Sequence, residues 1–167
     1  MRRIISILLQ NEAGALARVA GMFAARGYNI DSLTVAATHD ASVSRLTLVT
    51  VGVDAVIDQI IKQSRKLVDV IEIVDLTGRD HLESELLMVK IDVEPEALTR
   101  FVATMRRHPR AQVLDISVGV RTVEYTGTGA EVNTFLADLG EVSRLLELAR
   151  SGTAALERGT AVLAIST

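Results

Sequence analysis

The chain has 167 residues, 49% hydrophobic but only 3% aromatic, with no cysteine and a formal net charge of −3. That length fits one domain or two small ones with ample core material. It excludes a disulfide framework, a thiolate metal site and a cysteine nucleophile, and the acidic balance argues against a nucleic-acid binder, which carries a basic footprint. His39, His81 and His108 stand far apart without ligand spacing, so no metal site is expected. The opening "MRRIISILLQ" sets two arginines before an apolar run, but that run is only about six residues long and no small-residue cleavage site follows. No stretch approaches the roughly 18 apolar residues needed to span a bilayer. A soluble, cytoplasmic protein that binds neither membrane nor nucleic acid is expected.

In chain order, "RRIISILLQ" is a short β-branched run closed by a polar loop, and it predicts a strand. Leu16, Val19, Ala20 and Phe23 then recur at i, i+3, i+4 and i+7, one face of a helix, and Gly27 supplies its stop. "YNIDSLTVAAT" and "VSRLTLVTVG" are extended runs joined by the turn "HDAS", which makes a hairpin. "DAVIDQIIKQSRKL" is helical, with Val53, Val56, Ile57, Ile60, Ile61, Ser64 and Leu67 in one stripe. "VDVIEIVDL" closes the first half as a fourth strand.

The second half repeats the order without repeating the sequence. In "SELLMVKIDV" Leu87, Val89, Ile91 and Val93 alternate on one face. Pro95 sits where a first-turn proline is tolerated, Leu98, Phe101, Val102 and Met105 form the helical stripe, and Pro109 ends it. "AQVLDISVG" and "RTVEYTGT" predict two strands and "GAEVNTFLADL" a second helix. "SRLLELARSG" is read as a closing strand, although its pattern also suits a helix. The fold class is therefore α+β: two ferredoxin-like βαββαβ domains, each an antiparallel sheet with two helices on one face. The boundaries fall at 1–77 and 84–167, with a polar linker over 78–83.

The chemistry concentrates in "QNEAGALARVAGMFAARGYNI", positions 10 to 30. A loop entering a helix leaves its first N–H groups unpaired, and the helix dipole adds partial positive charge, which suits a carboxylate. Gly14 lets the backbone approach a ligand. Asn11 offers a carbonyl to an ammonium and an amide N–H₂ to a carboxylate, and Leu16, Ile30 and Val35 provide an apolar wall. Together these describe a receptor for a free aliphatic amino acid. Asparagine and glycine at a helix start are also ordinary capping and turn residues, so spacing alone leaves both readings open.

The run "MRRIISILLQNEAGALARVAGMFAARGYNIDSLTVAAT", with "SRLTLVTVG", "KQSRKLVDV", "AQVLDIS", "TVEYTGT" and "ELARSGTAALERG", resembles the small regulatory subunit of acetohydroxyacid synthase (acetolactate synthase) over nearly the whole chain. The resemblance implies an N-terminal ACT domain at 1–77 and a ferredoxin-like C-terminal domain. It implies a non-catalytic subunit that activates a catalytic subunit and confers valine feedback inhibition on branched-chain amino-acid biosynthesis. It also implies a homodimer through edge-to-edge ACT pairing, with valine held by Asn11, Gly14, Ala15 and Leu16 of one chain and Asn29 and Ile30 of the other. Thiamine diphosphate, magnesium and FAD are expected only in the catalytic subunit, with no cofactor and no catalytic residue in this chain. Three features depart from the family pattern: Ala13 and Ala17 replace small polar residues, His-Pro stands in "MRRHPRAQ", and the tail "GTAVLAIST" lacks a basic ending.

Other functions on the same plan fit less well. An acylphosphatase needs an arginine in the loop after the first strand, where this chain has "NEAGAL" and no arginine before Arg18. An RNA-binding module needs stacking aromatics on its central strands, and "RLTLVTVG" and "RRIISILLQ" have none. The alternative with the same ligand logic is a stand-alone ACT-type amino-acid sensor acting on another enzyme or on transcription.

Overall fold

The computed structural model describes residues 1–164; the last three positions of the expected C-terminal domain lie outside the described residues. The chain divides into two compact units, one of residues 1–82 with the described residues from Thr153 onward, the other Glu83–Gly152.

The first unit runs β1 (Arg2–Gln10), α1 (Ala15–Ala24), β2 (Ser32–Ala37), β3 (Val43–Val51), α2 (Asp54–Ser64) and β4 (Val70–Asp75). Its antiparallel sheet has the order β2-β3-β1-β4, so β2 and β4 are the edges. β1 is buried at every position except its two ends. Ile5, Ile7 and Leu9 pack with Val19, Met22 and Phe23 of α1 and with Ile57 and Ile60 of α2. On the opposite face Ile4 packs with Val49, Leu76 and Ala155. Ala155 belongs to β9 (Ala154–Glu157), in the C-terminal segment that returns to this unit. The Ala155 carbonyl accepts from Arg45 Nη2 (3.0 Å), and Thr153 N–H donates to Ser32 Oγ (3.1 Å). Continuous burial of β1 follows from covering on both faces, and its unalternated "IISILL" is the matching sequence pattern.

The second unit repeats the plan with β5 (His81–Asp92), a 3₁₀ turn at Pro95–Ala97, α3 (Leu98–Arg107), β6 (Gln112–Ile116), β7 (Val120–Gly127), α4 (Gly129–Gly140) and β8 (Arg144–Arg150). Its sheet has five strands: the order β6-β7-β5-β8 has the same crossings as the first sheet, and β9 pairs with β5 off that path. Leu87, Val89, Ile91 and Val93 are buried, as their alternation predicts, against Phe101, Val132, Phe135 and Leu139. "SRLLELARSG" forms the strand β8 rather than a helix.

α4 starts with a capping box. Glu131 N–H donates to Thr128 Oγ1 (3.3 Å) and Thr128 N–H to Glu131 Oε2 (2.8 Å), satisfying two N–H groups that a helix start leaves open. Thr128→Ala is expected to cost the second unit about 1 kcal/mol, read as a lower denaturation midpoint. An unchanged midpoint would show that the cap contributes nothing.

Two expected helix faces need correction. α1 buries Ala15, Val19, Met22 and Phe23, leaving Leu16 40% exposed. That face shares Val19 and Phe23 with the expected stripe but is turned toward Ala15, and periodicity alone fits both. In α3 the buried residues are Phe101 and Thr104, while Leu98 and Val102 are exposed, because the 3₁₀ turn at Pro95 shifts the phase of the helix that follows. The expected linker 78–83 is shorter in fact, since β5 begins at His81. The described residues from Thr153 onward group with the first unit, while β9 within them pairs with β5.

Candidate functional site

The loop from β1 to α1 is fixed from both sides. Asn11 N–H donates to the Ser42 carbonyl (2.7 Å), Asn11 Nδ2 to the Ala41 carbonyl (2.8 Å), and Ser44 Oγ to Asn11 Oδ1 (3.0 Å). Asn11 therefore clamps the loop to the β2–β3 hairpin turn, which is the structural role that ordinary capping logic leaves open. Its amide keeps one further N–H and one further lone pair, both at an exposed position.

Gly14 is the N-cap of α1, with φ 88° and ψ −11°; among the described residues no side chain caps that helix. Ala15 N–H donates to the Glu12 carbonyl (3.2 Å); the first-turn N–H groups after it keep the capacity that helix starts leave open. Left-handed backbone of this kind costs other L-residues about 1–2 kcal/mol. Gly27, also left-handed at φ 69°, ends α1 as its spacing predicts. Tyr28 N–H reaches the Phe23 carbonyl (3.1 Å) and Gly27 N–H the Ala24 carbonyl (3.0 Å), the Schellman pattern.

Arg18 is the residue that sequence reasoning passed over. Its Nε donates to Asp69 Oδ2 (2.5 Å) and its Nη2 to Asp69 Oδ1 (2.7 Å). A Cβ built on Gly14 would lie 2.8 Å from Arg18 Nη1, so the guanidinium folds back across the helix start. The four-residue step from Gly14 to Arg18 is the signal that could have found it, since such pairs share a helix face. The Asp69 side chain is almost fully buried, and the hydrogen bonds from Arg18 hold its carboxyl below the usual range; the same contact raises Arg18.

The depressed Asp69 pKa fixes a pH dependence. The unfolded chain takes up that proton near pH 3.9, so the stability contributed by ionised Asp69 is present above that value and is lost as pH falls through the lower folded value. Asp69→Asn is expected to melt below the native chain at pH 7. The gap should start to close below about pH 4 and vanish once Asp69 is protonated in the fold. A gap constant with pH would show that the ion pair is not its source.

Asn29 and Ile30 lie elsewhere. Asn29 Nδ2 donates to Asp31 Oδ1 (2.5 Å), and the Asn29 carbonyl accepts from Thr50 Oγ1 (2.5 Å). Asn11 is tied to Ser44 at one end of β3, and Asn29 to Thr50 at the other. Six residue steps along the strand separate those anchors, about 20 Å at the usual rise. Asn11, Gly14, Ala15 and Leu16 are brought together; Asn29 and Ile30 are not brought to them within one chain. Ile30 is half-buried against the helix-side core, and Val35 on β2 is 38% exposed. Among the described residues no group of three His, Asp or Glu side chains is placed to hold a metal, and no helix is long and apolar enough to cross a membrane.

Residues 5–72, the βαββαβ unit that carries this helix-start loop, match the family model described as an AHAS small subunit-like ACT domain, which places the unit in the ACT class of regulatory domains. Residues 84–159 match a second, described as the small subunit of acetolactate synthase. The chain belongs to the acetolactate synthase small-subunit family. It is 44% identical to the acetolactate synthase isozyme 3 small subunit of Escherichia coli over 163 residues, covering 98% of this chain and 99% of that one. The small subunit of Haemophilus influenzae is 40% identical over 95% of this chain and 97% of its own length. Among solved structures, the acetolactate synthase small subunit from Thermotoga maritima superposes with a TM-score of 0.84 at 29% identity, covering 96% of this chain and 99% of that one.

Proposed function

We propose that this regulatory subunit pairs with a second copy of itself, activates an acetolactate synthase catalytic subunit, and withdraws that activation when valine binds. The observation that carries the reading is the separation of Asn11 from Asn29 along β3. β2 is an edge strand, and it joins the Asn29 end to the hairpin turn that Asn11 clamps. Two β2 strands paired antiparallel about a two-fold axis set the N-terminal end of one beside the C-terminal end of the other. Asn29 and Ile30 of each copy then approach the Asn11–Leu16 loop of its twin.

The chemistry of that composite site suits a free aliphatic amino acid. The helix-start N–H groups and the nearby Arg18 cation favour its carboxylate, the spare lone pair of Asn11 faces its ammonium, and exposed Leu16 meets its side chain. A ligand between two copies favours one arrangement of the pair over another, and coupling of that kind is typically about 1–3 kcal/mol and reciprocal. Valine should therefore weaken activation, and whatever factor it imposes on binding of the catalytic subunit, that subunit imposes on valine affinity. Thiamine diphosphate, magnesium and FAD are assigned to the catalytic subunit.

The test is reconstitution with an acetolactate synthase catalytic subunit, assayed with and without valine, beside calorimetric titration with valine, leucine, isoleucine and alanine. Stimulated activity that valine suppresses supports the proposal. Unchanged activity at every subunit ratio would overturn the activating role, and stimulation indifferent to all four amino acids would overturn the effector assignment.

A further inference from the structure

The sheet face of the first unit opposite the helices holds a cavity of about 640 Å³. Its walls include Ala36 on β2, Val43 and Arg45 on β3, and Ala155, Leu156 and Leu163 from the returning C-terminal segment. In register, Arg45 lies between Leu8 of β1 and Ala36 of β2. One guanidinium nitrogen, Nη2, donates to the Ala155 carbonyl (3.0 Å). Another, Nε, is buried and has no hydrogen-bond partner among the described residues. Burial pushes the Arg45 pKa down, with no neighbouring carboxylate acting to restore it. The one carboxylate lining the cavity, Asp40, is occupied by Ser42, which donates from N–H (2.9 Å) and Oγ (2.6 Å).

A partly buried cation lacking a counter-ion is costly unless something supplies the opposite charge. The remaining walls select among anions. A phosphate ester carries about two charges and would meet a single guanidinium here. Both Ser42 bonds reach Asp40 Oδ1, and its other oxygen lies on the exposed hairpin turn, whereas Arg45 is flanked in register by Leu8 and Ala36. An aliphatic acid matches both the Arg45 cation and the apolar lining beside it.

We propose that this cavity is a second binding site, separate from the helix-start loop, for an aliphatic monocarboxylate. The ligand's carboxylate pairs with the Arg45 guanidinium that lines the cavity, and its chain lies along Ala36, Ala155 and Leu163. No covalent step is involved.

Calorimetric titration of the full chain with hexanoate and octanoate, against hexanol and hexylamine, tests the assignment. Saturable binding of the acids is expected, with hexanol and hexylamine binding at least about tenfold more weakly, the usual worth of a charge-assisted hydrogen bond. Arg45→Gln should weaken hexanoate by a similar factor. Ala36→Phe, at an exposed position, should abolish binding by filling the cavity, and it decides the question if Arg45→Gln folds poorly by circular dichroism. Saturating valine should leave hexanoate binding in place, so failure here and failure of the valine site are distinguishable. Absence of saturable acid binding, equal binding of hexanol, displacement by valine, or indifference to Ala36→Phe would overturn the proposal.

Discussion

Replacing Gly14 with aspartate is expected to lower valine affinity by roughly tenfold to a hundredfold, through loss of a charge-assisted contact worth about 1.5–3 kcal/mol, while activation of the catalytic subunit survives. Three effects act in the same direction. The left-handed backbone at φ 88° resists any side chain. A Cβ there approaches Arg18 Nη1 to 2.8 Å, so the guanidinium must swing and disturb its paired contacts with Asp69. The added carboxylate then occupies the anion position and compensates the Arg18 cation that should attract the ligand. Gly14→Ala shares the first two effects without the third, so its affinity should fall less while its stability falls by a comparable amount. Calorimetry and reconstituted activity read both variants. Undiminished valine suppression in Gly14→Asp would remove the loop from the site.

Phe135→Ala should destabilise the second unit by about 3–5 kcal/mol, a large share of the roughly 5–15 kcal/mol that holds an ordinary domain folded. Phe135 is fully buried. It stacks on Tyr125 with ring centroids 4.5 Å apart and meets the His108 ring edge-on at 5.0 Å. Truncation removes the ring on which two other aromatic groups pack, in a chain with few aromatics to compensate. Urea unfolding followed by Tyr125 fluorescence reads the loss, and a shift worth under about 1 kcal/mol would contradict tight packing there. Valine binding should persist under native conditions, because every proposed effector residue lies in the first unit. A parallel loss of valine binding would mean that the effector site is not contained there.

The strands were legible because their patterns are local. Alternation at Leu87, Val89, Ile91 and Val93 could serve only a strand with one covered face. Unbroken "IISILL" predicts a strand; that both of its faces are covered, and by which segment, was not readable. β9 is four residues long and pairs with β5, and nothing in "AALE" says which strand it will join; that choice is made by tertiary packing. Helix phase was lost for a related reason, because at α1 two stripes sharing Val19 and Phe23 are equally periodic. Of the candidate site, Gly14 and the helix start were legible through turn and dipole logic. The Arg18–Asp69 pair was not, because its partners lie 51 residues apart, and neither was the clamp of Asn11 on the hairpin turn, whose anchors come from another loop.

The composition of β2 has a consequence for solubility. Single chains usually guard an exposed sheet edge with a charge, a proline or a bulge. "SLTVAA" has no charge and no proline, and its pairing with β3 runs from Ser32 to Ala37 without a register shift. The opposite edge, β4, carries Glu72 and Asp75 within "VIEIVD". An unguarded edge on one side and a guarded one on the other permits growth in a single step. In the proposed pair, two copies joined through β2 would consume both open edges of their first sheets and leave the charged β4 edges outward, so growth through this sheet would stop at two instead of running on into a fibre.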